Sequence, residues 1–238
     1  MDLRQALRTT GAVREFADEP VPDEVVHRIL DTARFAPSGG NRQAWHTVVV
    51  KDPAVRERLR DLYLTGWYEY LAMGAAGLVP WAPVTDRTAE QAAIARAVQM
   101  RPPAGDPGGF AENLHRAPVL LVLLANLRGL AAVDRDHDRY TLVGGASIYP
   151  FAWSILLAAH DEGLGGVITS MLCREEEAVA DLLGVPDGWA LAAALALGRP
   201  AGRRPARLRR APVESSSTVD RFDGPPLPAG AQARPTTG

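Results

Sequence analysis

Three short stretches hold the residues best suited to chemistry. In RTTGAVREF, Arg8, Thr9, Thr10 and Arg14 surround a Gly-Ala pair. A guanidinium offers two parallel donors to an oxyanion and a hydroxyl adds another, so the set suits a phosphate. The same residues would also make a capped turn with solvated arginines. In RFAPSGGNRQAWHTVVV, Ser38 and Asn41 can donate to hydroxyls or carbonyls, Gln43 can donate and accept, and Gly39 and Gly40 let backbone amides approach a ring closely. A tight glycine turn is the plainer alternative. In RRPARLRRAP, Arg207 and Arg209 stand two apart and would face the same way in an extended arm, with Arg210 beside them. A solvated basic tail has the same composition.

Other chemistries lack their motifs. No G-x-G-x-x-G follows a strand, and GLGGV precedes one instead. There is no phosphate-binding G-x-x-x-x-G-K-[ST], no G-x-S-x-G and no H-E-x-x-H. The five histidines are scattered, none at ligand spacing from a Cys or carboxylate, so no metal site is expected. Cys173 in MLCREEE precedes a helix, a place that can activate a thiol, but Glu175, Glu176 and Glu177 oppose a thiolate, so an inert cysteine is expected.

The elements that must carry these residues follow from periodicity. Residues 2–8 make a short first helix. In PVPDEVVHRILDTARFAP, Val25, Val26, Ile29, Leu30, Ala33 and Ala36 recur at helical spacing, with Pro22 at the first turn and Pro37 as the stop. Trp45 to Val50 reads as a buried strand and DPAVRERLRDLYL as an amphipathic helix. Residues 66–112 are aromatic and uneven, with RTAEQAAIARAVQM helical and RPPAGDPGG a loop. APVLLVLLA is a fully buried strand. YTLVGGASIYPFAWSILLAAHDEGL, apolar almost all round, is expected to be a central helix over 141–163, with Pro150 marking a kink or a start. GGVITS is a strand, REEEAVADLLG a helix ending at Gly184, and WALAAALALG a last buried strand. Beyond about residue 200 the chain turns basic, then polar and turn-rich. Strands alternate with helices, but too few and too unevenly for a doubly wound sheet.

Composition sets the remaining bounds. The apolar fraction of 47% suits a globular core, and 26 basic against 28 acidic residues argues against general nucleic-acid binding. One cysteine allows no internal disulfide, which suits a reducing cytoplasm, and no signal-peptide core opens the chain. The longest apolar run, APVLLVLLANLRGLAAV, is broken by Asn126 and Arg128 and is too short to span a bilayer. Lys51 is the only Lys among many Arg and Ala, a bias expected of a high-GC bacterium.

Three blocks in order resemble the FMN-dependent nitroreductase family. They are VREFADEPVPDEVVHRILDTARFAPSGGNRQAWHTVVVKD, GASIYPFAWSILLAAHDEGLGGVITSM and LLGVPDGWALAAALALGRPAGRRPARLRRAPVE, and the likeness covers roughly residues 6–214. The resemblance implies an α+β, nitroreductase-like fold, with a central mixed β-sheet flanked by helices and an intertwined homodimer. Residues 1–214 would form the FMN-binding domain, 66–112 its variable substrate-covering region, and 215–238 a polar Pro/Gly-rich tail. It assigns the flavin phosphate to Arg8, Thr10, Arg14, Arg207 and Arg209, with Arg210 as alternate. It assigns the ribityl chain and ring edge to Pro37, Ser38, Gly39, Asn41 and Gln43, partly in the partner chain's site. The backbone of Thr169, Ser170 and Met171 would meet the flavin N5 edge, and Trp67, Tyr68, Tyr70 and Trp81 are candidates for the substrate side.

The implied activity is reduction of nitroaromatics or quinones by NADH or NADPH through the flavin, in a ping-pong sequence, with no catalytic side chain required. A biosynthetic flavin-dependent dehydrogenase or oxidase and a non-catalytic flavin-binding protein are the alternatives. A flavin-cleaving or dehalogenating member is less favoured, since no dedicated lid signature is present.

Overall fold

Four strands form one sheet: β1 (Trp45–Val50), β2 (Val119–Asn126), β3 (Gly165–Thr169) and β4 (Trp189–Gly198), in the order β1-β2-β4-β3. The computed structural model describes residues 2–202 and 208–228. All three ladders are antiparallel. Among the described residues one parallel bridge, between Ala12 and Gly166, lies outside the named strands.

The central strands explain their own sequences. β2 is buried along all but its last residue and β4 along its last eight, because helices cover both faces of the sheet. Side chains alternate between two cores. Leu121, Leu123, Leu195 and Leu197 enter one, with helices α2 (Asp23–Ala33) and α5 (Tyr149–Asp161). Leu120, Val122, Leu124, Ala194 and Ala196 enter the other, with α3 (Pro53–Ala75) and α6 (Glu176–Leu183). Each fully buried leucine contributes about 1.5–3 kcal/mol relative to an exposed one. On the first face Trp45 stacks on Phe151 with centroids 4.6 Å apart, and Arg28 on α2 pairs with Glu162 just past α5. A register shift opposite Leu123 and Leu124 leaves Ala192 unpaired in β4, a bulge that bends the strand locally.

Helix ends follow local rules. Asp2 caps α1 (Leu3–Thr9), Asp52 caps α3 ahead of Pro53, and Asp86 caps α4 (Arg87–Ile94). Gly184 ends α6 at φ 64°.

Two elements differ from expectation. α3 does not stop near residue 64 but runs to Ala75, with Gly66 inside it. The expected helix over 141–163 is shorter: Val143–Ser147 is a 3₁₀ turn, and α5 begins at Tyr149 with Pro150 in its first turn. Proline has no N–H to join a preceding α-turn, so it starts this helix rather than kinking it. Nor is α5 buried all round, since Tyr149 is 51% and Trp153 36% exposed. Past the last strand, Leu208 donates its N–H to the Arg8 carbonyl, and Thr218 bridges Pro226. Among the described residues no helix is long and apolar enough to cross a membrane.

Candidate active site

A cavity of about 960 Å³ opens at the end of β3. Its floor is Val167, Ile168 and Thr169 of that strand, then Ser170 and Met171, with Ala193 beside the β4 bulge. One wall is the α3 face carrying Tyr63, Trp67 and Tyr70, spaced i, i+4, i+7 so that they share one stripe. Trp67 and Tyr70 lie 5.5 Å apart with ring planes 7° from parallel, and Trp81 stands 6.3 Å behind Tyr70. The opposite wall is Gly108, Gly109 and Phe110. Asn113 holds that loop by donating Nδ2 to the carbonyls of Pro107 and Gly109.

The N-terminal segment supplies the cavity's charge. Val13 donates to the Gly166 carbonyl, Ala17 to the Arg199 carbonyl, and Glu15 accepts from Ala201, so residues 13–17 run along the sheet edge. Gly165 permits this crossing, because a Cβ there would stand 2.5 Å from Val13. Arg14 and Glu15 thereby line the cavity. Arg14 is exposed, and its guanidinium has no hydrogen bond or ion pair with another described residue. Among the described residues the cavity thus offers the Arg14 cation, a strand edge and an aromatic wall.

Tyr63 is buried at 2% exposure, and its hydroxyl lies 3.0 Å from Thr169 Oγ1. Burial pushes its pKa above the ordinary phenol value, more than the Thr169 bond and Arg14 draw it down. Burial likewise raises Tyr149. The Cys173 thiol is pushed up to about 11 by burial and by Glu176, so it is protonated at neutral pH, as the acidic run implied.

Of the residues expected at the site, Arg14, Thr169, Ser170 and Met171 meet at this cavity. Trp67 and Tyr70 join them, whereas Tyr68 lines a separate groove with Arg101. Thr10 is buried elsewhere, with its hydroxyl 2.9 Å from His160 Nδ1. Arg8 lies exposed in the last turn of α1, next to the arm that carries exposed Arg209 and Arg210. Arg207 lies outside the described residues.

The loop from Pro37 forms its own exposed structure. Ser38 Oγ accepts from the Gln43 amide, Gly39 donates to Ser147 Oγ, and Asn41 and Gln43 take left-handed φ of 53° and 49°. None of Pro37, Ser38, Gly39, Asn41 and Gln43 lines the cavity of its own chain. Tyr63, Phe16, Phe110, Asn113 and Tyr149 line it without having been expected. The i, i+4, i+7 stripe was the available signal for Tyr63, visible only if α3 is carried through Gly66.

The nitroreductase family model matches residues 7–199. An NADH dehydrogenase of Thermus thermophilus is 28% identical over 201 residues, covering 84% of this chain and 88% of that protein. Iodotyrosine deiodinase 1 of Homo sapiens is 31% identical over 201 residues, covering 84% of this chain and 61% of that longer protein. Among solved structures, a BluB-like flavoprotein from Clostridium difficile superposes with TM-score 0.66 at 20% identity, covering 93% of this chain and all of that one (100%). The NADPH:FMN oxidoreductase from Vibrio harveyi complexed with NAD+ superposes with TM-score 0.61 at 22% identity, covering 92% of this chain and 77% of that one. These structural likenesses show a shared fold.

Proposed function

The chain belongs to the nitroreductase family and is an oxidoreductase, and from that premise we propose that it is an FMN-dependent NAD(P)H oxidoreductase that reduces nitroaromatics or quinones. The observation that carries the reading is the cavity itself. It combines an unpaired Arg14, the free end of β3 and a wall of aromatic rings.

These residues fit the cofactor. The volume, about 960 Å³, lies at the upper end of the ~300–1,000 Å³ usual for cofactor and ligand sites. A free guanidinium suits a terminal phosphate. The polar strand end at Thr169 and Ser170 suits the heteroatom edge of a planar ring, and Trp67, Tyr70 and Phe110 suit a planar molecule stacked over it. FMN, when bound, takes up a hydride and returns two electrons to an acceptor. The chain's part is to hold the phosphate through Arg14, to present donors at Thr169 and Ser170, and to cover the exposed ring face with the α3 stripe.

Arg8 and Arg209 join Arg14 at the phosphate in this reading, and the loop Pro37 to Gln43 completes the site from across a homodimer interface. That none of the expected loop residues lines the cavity of its own chain supports the arrangement, as does the exposed edge of α5. One stacking face serves nicotinamide and acceptor in turn. Initial rates against NAD(P)H at several fixed acceptor concentrations should therefore give parallel double-reciprocal lines; intersecting lines would mean two separate sites. The iodotyrosine deiodinase relatives favour a second reading, reductive removal of iodide from an iodophenol stacked on Trp67 and Tyr70. Iodide release under NAD(P)H would separate the two.

A further inference from the structure

The hydroxyls of Tyr63 and Thr169 lie 3.0 Å apart on the cavity lining, joining α3 to the last residue of β3. Each hydroxyl has a proton to give and lone pairs to accept one. Burial decides the direction. The Tyr63 hydroxyl has no other hydrogen-bond partner among the described residues, and the residue is 2% exposed. A buried donor without an acceptor suffers its full desolvation penalty, so the phenol donates. Thr169 is half-buried and lines the cavity, so its own O–H has open space to point into. The phenol is also the more acidic of the two hydroxyls. The Tyr63 ring is fixed in place by Phe110, edge-on at 6.4 Å, and by Trp67 at 6.5 Å.

We propose that Tyr63 is a positioning residue: its phenol donates to Thr169 Oγ1 and so turns the Thr169 O–H into the cavity as a fixed donor to an electron-rich atom of the ring held there. The proposal rests on the flavin reading of the cavity and goes beyond it, by naming the side chain that orients a donor and the one that does the donating. A ring that has gained two electrons accepts a hydrogen bond more strongly than the oxidised ring. A donor already aimed at it therefore favours the reduced form at no further cost in reorganisation. No covalent step is involved.

The test is the midpoint potential of the FMN-loaded protein, measured by equilibration against a reference dye. Thr169→Val should weaken the preference for reduced over oxidised FMN roughly tenfold, a downward shift of about 30 mV for a two-electron couple. Thr169→Ser, which keeps the hydroxyl, should hold the wild-type potential. Tyr63→Phe should shift the potential in the same direction by a smaller amount. In the Thr169→Val background it should add nothing, because Tyr63 acts only through Thr169. A wild-type potential in Tyr63→Phe, or a Tyr63→Phe shift that adds to that of Thr169→Val, would overturn the proposal. If Tyr63→Phe fails to fold, the Thr169 pair decides: an unshifted Thr169→Val overturns it. A wild-type protein that takes up no FMN overturns the flavin reading and this proposal together, whereas an FMN-loaded wild type with unshifted variants overturns this proposal alone.

Discussion

Gly66 stands against the backbone of Met171: a Cβ at Gly66 would lie 2.8 Å from the Met171 carbonyl oxygen and 2.9 Å from Arg174 Cγ. A glycine inside a helix costs roughly 0.5–1 kcal/mol relative to alanine. This one lets α3 press directly on the segment that follows β3, which forms the floor of the cavity. One turn on, Glu69 pairs with Arg174 at 2.9 Å, and Arg174 also lies over the Trp81 ring.

Gly66→Ala should therefore destabilise the protein, although alanine is the better helix former. A backbone carbonyl cannot step aside as a side-chain tip can, and overpacking typically costs about 1–3 kcal/mol. The midpoint of urea unfolding should fall and FMN binding should weaken with it, since Met171 is displaced. A variant as stable as the wild type would show that the contact relaxes freely.

Arg14→Ala tests the proposed phosphate anchor. A charge-assisted hydrogen bond contributes about 1.5–3 kcal/mol, so FMN affinity should fall on the order of tenfold or more by equilibrium dialysis. Flavin retained as tightly as by the wild type would remove Arg14 from that role.

The expected dimer has a concrete edge. Tyr149 and Trp153 lie one helical turn apart on the outer side of α5, with Leu142 exposed at 71% just before it. Trp153→Asp should turn a dimer into a monomer by light scattering while leaving the chain's own core intact, because Trp153 is exposed within one chain. A wild-type protein that scatters as a flavin-loaded monomer would contradict the two-chain site.

Asp134 gives a pH signature. Its buried carboxylate accepts from the amides of Leu142 and Val143 and from Arg139 Nη1 at 2.7 Å, tying down the loop that leads into α5. These bonds, the Leu142 amide foremost and opposed by burial, hold its pKa down at about 2. Its folded pKa is below the unfolded value of about 3.9, so its contribution is whole above that value and is lost as pH falls through about 2. Melting temperatures of wild type and Asp134→Asn should differ by a constant amount above about pH 4 and converge toward pH 2. A difference that persists unchanged at pH 2 would mean that the carboxylate's charge is not what stabilises the loop.

Much of this fold is legible in the sequence because its signals are local. The two central strands are nearly continuous apolar runs, and Gly184 ends α6 where the pattern breaks, whereas Trp45–Val50, expected as a buried strand, is an edge strand buried only at Val50, with His46 exposed. The illegible parts depend on distant contacts. Gly66 looks like a helix breaker until Met171 lies beside it, and a helix ended there parts Tyr63 from Trp67 and Tyr70. Thr10 has a hydroxyl partner, His160, that stands 150 residues away and is visible only in the fold. The sequence blocks set out the expected pieces of the site in order, but they do not say which pieces face the same chain's cavity. Only the fold separates Arg14 and Thr169 from Ser38 and Asn41.

The central claim is that this cavity carries a flavin reducible by nicotinamide and reoxidised by a small acceptor. Anaerobic mixing of the FMN-loaded protein with NADH and with NADPH, followed by a quinone or a nitroaromatic, tests it most directly. Loss of the yellow absorbance with at least one nicotinamide, and its return with at least one acceptor, is the result this account predicts. A flavin that stays oxidised with both nicotinamides, or that is reduced and reoxidised by neither acceptor class, would contradict it.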